Sequence, residues 1–395
     1  MRFLAAAMLV VIGAFLAADD QASYDLLITN AHIVDGTGQP ARDGDIAIRA
    51  GRIVALGRIA GGSADQRIDA TGLTVSPGFI DSHTHADDIA NRPGAEVFVA
   101  SGITTIVAGT DGVSSADIGS ELDDIRRAGL SVNFATFVGH STVRASVIGR
   151  VLRDPLLADL NRMNAMVFEA IADGAIGLST GLQSPPGRFA RNSEIAALAR
   201  VVSLARGLYA AQIRTADFTV DQSVAESIRL AESLAIPVQL SGLMLDPLKP
   251  ATTTAVLKLI DDARRRNTDV WVDQEVFPAS GAADNPESDR LLLHPLVVIA
   301  SDPMRVLADV VVGRHLMSME EAIRKMTSLP AARLGFAGRG VLKDNAAADL
   351  AIFDAGRLAQ SPSARDVIVN GVVVVRNGQH TGARPGRVLR RTSGL

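Results

Sequence analysis

Apolar positions follow two textures along this 395-residue chain. From Tyr24 to about Val75 the runs are short and either alternating or wholly apolar: Leu26-Leu27-Ile28, then 31–34, 45–48 and 52–56. Gly36, Gly38, Gly44, Gly51 and Gly57 punctuate them, which predicts β-strands joined by tight turns. The C-terminal part has the same texture in 349–353, 366–369 and 372–375, and Asn370-Gly371 between two Val-rich runs predicts a hairpin. The middle is different: strand-like apolar runs alternate with helical ones. Eight strands are predicted, over 74–81, 104–108, 131–138, 176–179, 208–213, 237–240, 270–273 and 296–301. Helices are predicted over 115–128, 156–173, 193–205, 224–235 and 253–265. A last one opens near Met319, with Ser318 as N-cap and Glu321 as its capping-box partner.

Eight βα units predict an α/β fold of the (β/α)8 barrel type. An open doubly wound sheet is the alternative, but no glycine-rich dinucleotide fingerprint follows the first strand. The expected organisation is a barrel over 76–339, with a small β-sandwich domain formed by 23–75 and 340–395 around it.

The N-terminus changes the picture of location. Arg2 precedes an apolar stretch over 3–18 that ends in Leu16-Ala17-Ala18, before Asp19 and Asp20. It is shorter than the roughly 20 residues of a membrane-spanning helix. It reads as a signal peptide over 1–22, with an uncleaved anchor as the alternative. The expectation is an exported protein, periplasmic or secreted, with no stable membrane span after signal removal.

Composition narrows the chemistry. The net charge is −4, Lys and Arg are scattered, and aromatic residues make up only 4%, so neither a basic footprint nor a base-stacking platform for nucleic acid is present. With no cysteine, thiol catalysis, disulfides, Cys-ligated zinc and a lipoprotein anchor are excluded.

The first middle strand leads into Pro77-Gly78-Phe79-Ile80-Asp81-Ser82-His83-Thr84-His85. Residues two apart on an extended segment point the same way, so His83 and His85 project together where two imidazoles can share one divalent ion. A His-x-His pair alone is a weak signal; at the end of a first barrel strand it is a strong one.

This stretch, with its flanking β segments, resembles the amidohydrolase superfamily, and within it the N-acyl-D-amino-acid deacylases (D-aminoacylases). Supporting segments follow in chain order: Gly102-Ile103-Thr104-Thr105-Ile106-Val107, Val138-Gly139-His140-Ser141-Thr142-Val143-Arg144, Gly177-Leu178-Ser179-Thr180-Gly181, Asp273-Gln274, Ala300-Ser301-Asp302 and Met326-Thr327-Ser328-Leu329-Pro330-Ala331. The resemblance implies a zinc enzyme that cleaves the amide of a small N-acyl amino acid with metal-activated water. His83 and His85 match the first-strand ligands. Asp302 matches the last-strand carboxylate that binds metal and carries the proton.

Other matches fail. Where the family has a bridging Cys, this chain has Asp111 in Gly109-Thr110-Asp111-Gly112, and a carboxylate is a competent zinc ligand. The fifth strand offers Gln212 in place of His, and the sixth offers Gly242 and Met244 in place of a His and a substrate-binding Lys. Glu275-Val276-Phe277-Pro278 replaces Tyr-Pro-Tyr, and the excursion and Arg that flank the last strand are missing. His140 and Arg214, near strand ends, are the expected substrate-binding residues, with a structural histidine as the alternative for His140. Asp302 can equally cap a helix starting at Pro303, and Asp111 can be turn chemistry.

Two outcomes fit this ligand set. In one, His83, His85, Asp302 and Asp111 hold a single zinc ion in a mononuclear hydrolase. In the other, the barrel persists as a catalytically impaired binding protein for a small molecule.

Overall fold

A computed structural model describes residues 23–215, 218–277 and 285–391. The segment 1–22, expected to be a signal peptide, lies outside the described residues. Five strands open the fold: β1 (Ser23–Ile33), β2 (Arg42–Arg49), β3 (Arg52–Gly57), β4 (Ser63–Asp69) and β5 (Thr74–Pro77). Strands β1, β2 and β3 form an antiparallel meander, while β4 and then β5 run parallel to β1 along its other edge.

The barrel starts one residue after β5. Its parallel strands are β6 (Phe79–Asp81), β7 (Ile103–Ala108), the broken pair β8 (Asn133–Thr136) and β9 (Val138–Gly139), β10 (Gly177–Gly181), β11 (Leu208–Gln212), β12 (Val238–Ser241), β13 (Val270–Gln274) and β14 (Val297–Ile299). The run 74–81 therefore does not form one strand, because it passes from the outer sheet into the barrel. The break is at Gly78, where a Cβ would lie 2.2 Å from the Thr104 side chain, so only glycine lets the two layers approach.

Helices α1 (Glu96–Ala100), α2 (Ile118–Ala128), α3 (His140–Ile148), α4 (Leu157–Asp173), α5 (Asn192–Leu204), α6 (Val220–Leu234), α7 (Pro250–Arg265) and α8 (Pro286–Leu292) connect these strands. After β14 come α9 (Pro303–Val306), a π-helical turn over Leu307–Gly313, α10 (Met319–Met326) and α11 (Ser328–Leu334). Ser318 caps α10, its Oγ accepting the Glu321 N–H at 3.2 Å, but the Glu321 carboxylate pairs with Arg324 instead of closing a capping box.

One buried cluster shows the closure. Ile80, Val107, Phe137, Ile176, Leu208, Trp271 and Val298 meet in the interior, so strands from β6 to β14 surround a common core. Leu329, Leu334 and Phe336 join that core from α11 and the residues just after it. Helix α10 packs on both β14 and β6, where the described residues show no ladder between these two strands. Its fully buried Lys325 donates to the carbonyls of His294 (2.6 Å) and Val297 (3.0 Å), and burial pulls its pKa down to about 8.

The chain then returns to the first sheet through β15 (Leu350–Phe353), β16 (Asp366–Val369), β17 (Val372–Arg376) and β18 (Gln379–His380). Strand β15 pairs antiparallel with β5, completing one nine-stranded sheet from both parts of the chain. Ile46 and Ile53 share a buried cluster with Ile368 and Val373, so the two wings fold over one core as a sandwich-like layer pair. The last described residues leave this sheet: Phe134 of β8 donates to the Arg387 carbonyl at 2.9 Å and accepts from the Leu389 N–H at 2.7 Å. The tail expected in the β-domain thus laces the barrel. No helix among the described residues is long and apolar enough to cross a membrane.

Candidate metal centre and active-site cavity

Beyond β6 the chain is pinned by one residue. Thr84 donates its backbone N–H (2.9 Å) and its hydroxyl (2.8 Å) to the Val107 carbonyl of β7, while its own carbonyl accepts from the Thr110 hydroxyl at 3.0 Å. With Thr84 tied to β7, His83 and His85 flank it at the barrel mouth. Their ring centroids are 5.6 Å apart and the rings nearly perpendicular.

Asp111 reaches the same point from the end of β7. It has φ of 54°, and Gly109 (70°) and Gly112 (74°) are left-handed too, in a turn at the end of β7. Ser179 of β10 holds that turn, accepting from the Gly112 N–H at 3.1 Å and donating to the Gly109 carbonyl. The turn delivers Asp111 Oδ2 to 3.3 Å from His83 Nε2 and 3.6 Å from His85 Nε2. Two donors bound at about 2.1 Å to one tetrahedral ion stand about 3.4 Å apart, so these separations fit a single zinc-sized cation. The buried Asp111 Oδ1 has no hydrogen-bond partner, as expected of a group whose partner is an ion. Among the described residues, these three are the group of side chains able to hold a metal together.

Asp273, at the end of β13, lies behind His83: its Oδ2 is 3.0 Å from His83 Nδ1 and also accepts from Gln239. This arrangement fixes the imidazole with Nε2 toward the ion. Burial opposes charge on His83, but the Asp273 and Asp111 carboxylates outweigh it and raise its pKa well above the ordinary histidine value. Nearby, burial pushes Asp81 up to about 6 and also raises Glu275. Sequence reasoning did not single out Asp273 or Glu275 as site residues, although their place at the mouth end of the seventh strand was the available signal.

The cavity in front of this group has a volume of about 320 Å³. His83, Asp111, Asp273 and Glu275 line one part; Gln183, Gln212, Gly242 and Asn285 line another; Leu243, Met244 and Leu245 form an apolar wall. Gln212 and Gly242, the two replaced ligand positions, do face the centre.

The remaining sequence candidates are not part of this group. Asp302 is the N-cap of α9, with Oδ1 accepting from the N–H groups of Met304 (3.1 Å) and Arg305 (3.3 Å), and it is not grouped with the histidines. His140 is fully buried, its Nε2 2.9 Å from Glu194, whose other oxygen pairs with Arg144. Despite burial, His140 and Arg144 lower the pKa of Glu194. Arg214 is spent on Glu226 (3.1 Å) and the Ala190 carbonyl (2.6 Å). Neither His140 nor Arg214 lines this cavity: His140 pairs with buried Glu194, and Arg214 with part-buried Glu226, within the wall of the barrel.

Comparison with known proteins agrees with this fold. The model of a family described as the amidohydrolase family matches residues 98–375. A D-aminoacylase of Alcaligenes xylosoxydans xylosoxydans is 29% identical over 96% of this chain and 100% of its own length. That alignment runs over 483 positions, so the relative carries segments that this 395-residue chain lacks. An N-acyl-D-glutamate deacylase from Bordetella bronchiseptica, solved with zinc and a phosphonate mimic of the tetrahedral intermediate, superposes with a TM-score of 0.86. It is 28% identical, covering 93% of this chain and 100% of the other. A solved D-aminoacylase with a binuclear metal centre, activated by one metal and attenuated by the second, gives 0.86 at 27% identity, with the same coverage.

Proposed function

This chain belongs to the amidohydrolase family, and from that premise we propose that it hydrolyses the amide bond of a small N-acyl amino acid, with one zinc ion held by His83, His85 and Asp111. The observation that carries this reading is the convergence of those three side chains at the barrel mouth, their ligand atoms within 4.8 Å of one another and Asp111 at tetrahedral spacing from each histidine. Zinc there would acidify bound water and polarise the amide carbonyl.

The chain's own residues supply the rest. Asp273 accepts the His83 Nδ1 proton and so keeps Nε2 available for the ion. Glu275 is a carboxylate of the same cavity, without the helix-capping duty of Asp302, and receives the proton of the attacking water before passing it to the leaving amine. Leu243, Met244 and Leu245 give the acyl group an apolar wall to lie against. The replacement of two ligand positions by Gln212 and Gly242 favours a mononuclear centre, in line with one-metal activation in the related D-aminoacylase. The apolar segment over 3–18 supports export to the periplasm or beyond.

The test combines metal analysis with turnover. About one zinc per chain is expected, lost in the His83→Ala/His85→Ala double variant, with amine release from N-acetyl-D-amino acids by the loaded protein. Glu275→Gln should retain the zinc and lose roughly 10²- to 10⁴-fold in kcat. A folded protein that takes up no zinc would sink the metal assignment. Zinc-loaded protein that binds N-acetyl-D-amino acids without turnover would make the barrel a binding protein.

A further inference from the structure

Two cavities share Asp111 and Gln212 in their walls. The first, described above, presents Asp111, Asp273 and Glu275 and has no Lys or Arg among the described residues of its wall. Met244 stands where the resemblance expects a substrate-binding cation. Away from the metal position, a substrate carboxylate in this cavity would face Asp273 and Glu275 with no Lys or Arg among the described lining residues to pair with.

The second cavity, about 430 Å³, opens on the other side of Asp111 and Gln212. Ser141, Thr142, Ser146 and Ser184 give it a hydroxyl lining, and Arg150 is its cation. Arg150 follows Gly149, whose φ of 79° ends α3 and turns the chain. One guanidinium N–H donates to the Pro185 carbonyl at 3.0 Å, which orients the side chain on the cavity wall. Among the described residues Arg150 has no ion pair, so the rest of its five-donor fork is open to a ligand.

Resting on the amide-hydrolysis reading, we propose that Arg150 is the carboxylate anchor of this enzyme. An N-acyl amino acid then lies across the centre. Its scissile amide faces His83, His85 and Asp111, its acyl group contacts the Leu243–Leu245 wall, and the carboxylate of its amino-acid half is forked by Arg150. The recognition of an anionic leaving half has thus moved from the sixth and eighth strands to the turn after α3. Arg150 sets specificity and KM and takes no part in bond cleavage.

The experiment compares N-acetyl-D-leucine with N-acetyl-D-leucinamide, which lacks the carboxylate, on zinc-loaded wild type, Arg150→Gln and Arg150→Lys. Binding is read by calorimetry and turnover by amine release. Arg150→Gln should weaken binding and raise KM for the acid about 10- to 100-fold, leaving the amide and the zinc content unchanged. Arg150→Lys should fall between, because the charge stays and the fork is lost. Equal affinity of wild type and Arg150→Gln for the acid, or no binding of the acid to wild type, would overturn the assignment even if the amide is hydrolysed. Binding of the acid that is lost in Arg150→Gln, with no turnover of either compound, would leave Arg150 as the anchor and reject only the hydrolase.

Discussion

Glu121, in the first turn of α2, buries both carboxylate oxygens without a hydrogen-bond partner, and burial together with the Asp87 charge pushes its pKa up to about 7. A folded-state value above the unfolded one means that stability is fully present below about pH 4.5 and is lost as pH rises through about 7. Glu121→Gln should therefore be near-neutral in acid and gain on the order of 1–3 kcal/mol by pH 8. Denaturant melts of both proteins across that range check it, and a gain that shrinks with rising pH would refute it. Residue identity told most at the metal centre: His83 and His85 were legible because two-residue spacing sets a common direction on extended chain. The partner of that pair was less so. Whether Asp111 meets the histidines depends on three consecutive-turn dihedrals held by Ser179 from another strand, and no local pattern encodes that contact.

The short helix α9 shows how an element can recruit a residue of apparent catalytic type. Pro303 at N1 leaves its cap to Asp302, which supplies one oxygen to two backbone donors. Asp302→Ala should cost about 1 kcal/mol of stability while zinc per chain stays unchanged; loss of bound zinc with unchanged stability would restore Asp302 to the ligand set. At this scale the alternation of strands and helices was readable because each barrel strand is a near-continuous apolar run. Two boundaries were not. The 74–81 run looks like one strand, yet Gly78 divides it between two sheets, and the 131–138 run breaks at Phe137, whose side chain enters the barrel core. His140 and Arg214 stand at strand ends as expected. Their acidic partners, buried Glu194 on α5 and part-buried Glu226 on α6, come from helices whose packing the sequence pattern does not specify.

For the molecule as a whole, the proposed export makes a direct prediction. Protein recovered outside the cytoplasm should begin near Asp19, just ahead of β1 at Ser23, and a chain lacking 1–22 should fold with the same stability but stay inside. N-terminal sequencing and fractionation read both, and a recovered chain that retains Met1 would reject cleavage. Trp271, the lone tryptophan, lies fully buried in the barrel core and reports by its emission whether the truncated chain is folded. The nesting of the two sheets also sets a timetable. Strand β5 is made before residue 78, but its antiparallel partner β15 does not exist until residue 350. At about 5–20 residues per second of synthesis, that edge waits roughly 15–55 s for its neighbour. Every barrel strand is synthesised inside this interval, so the gene order lets the inserted domain close while the outer one is still half-written.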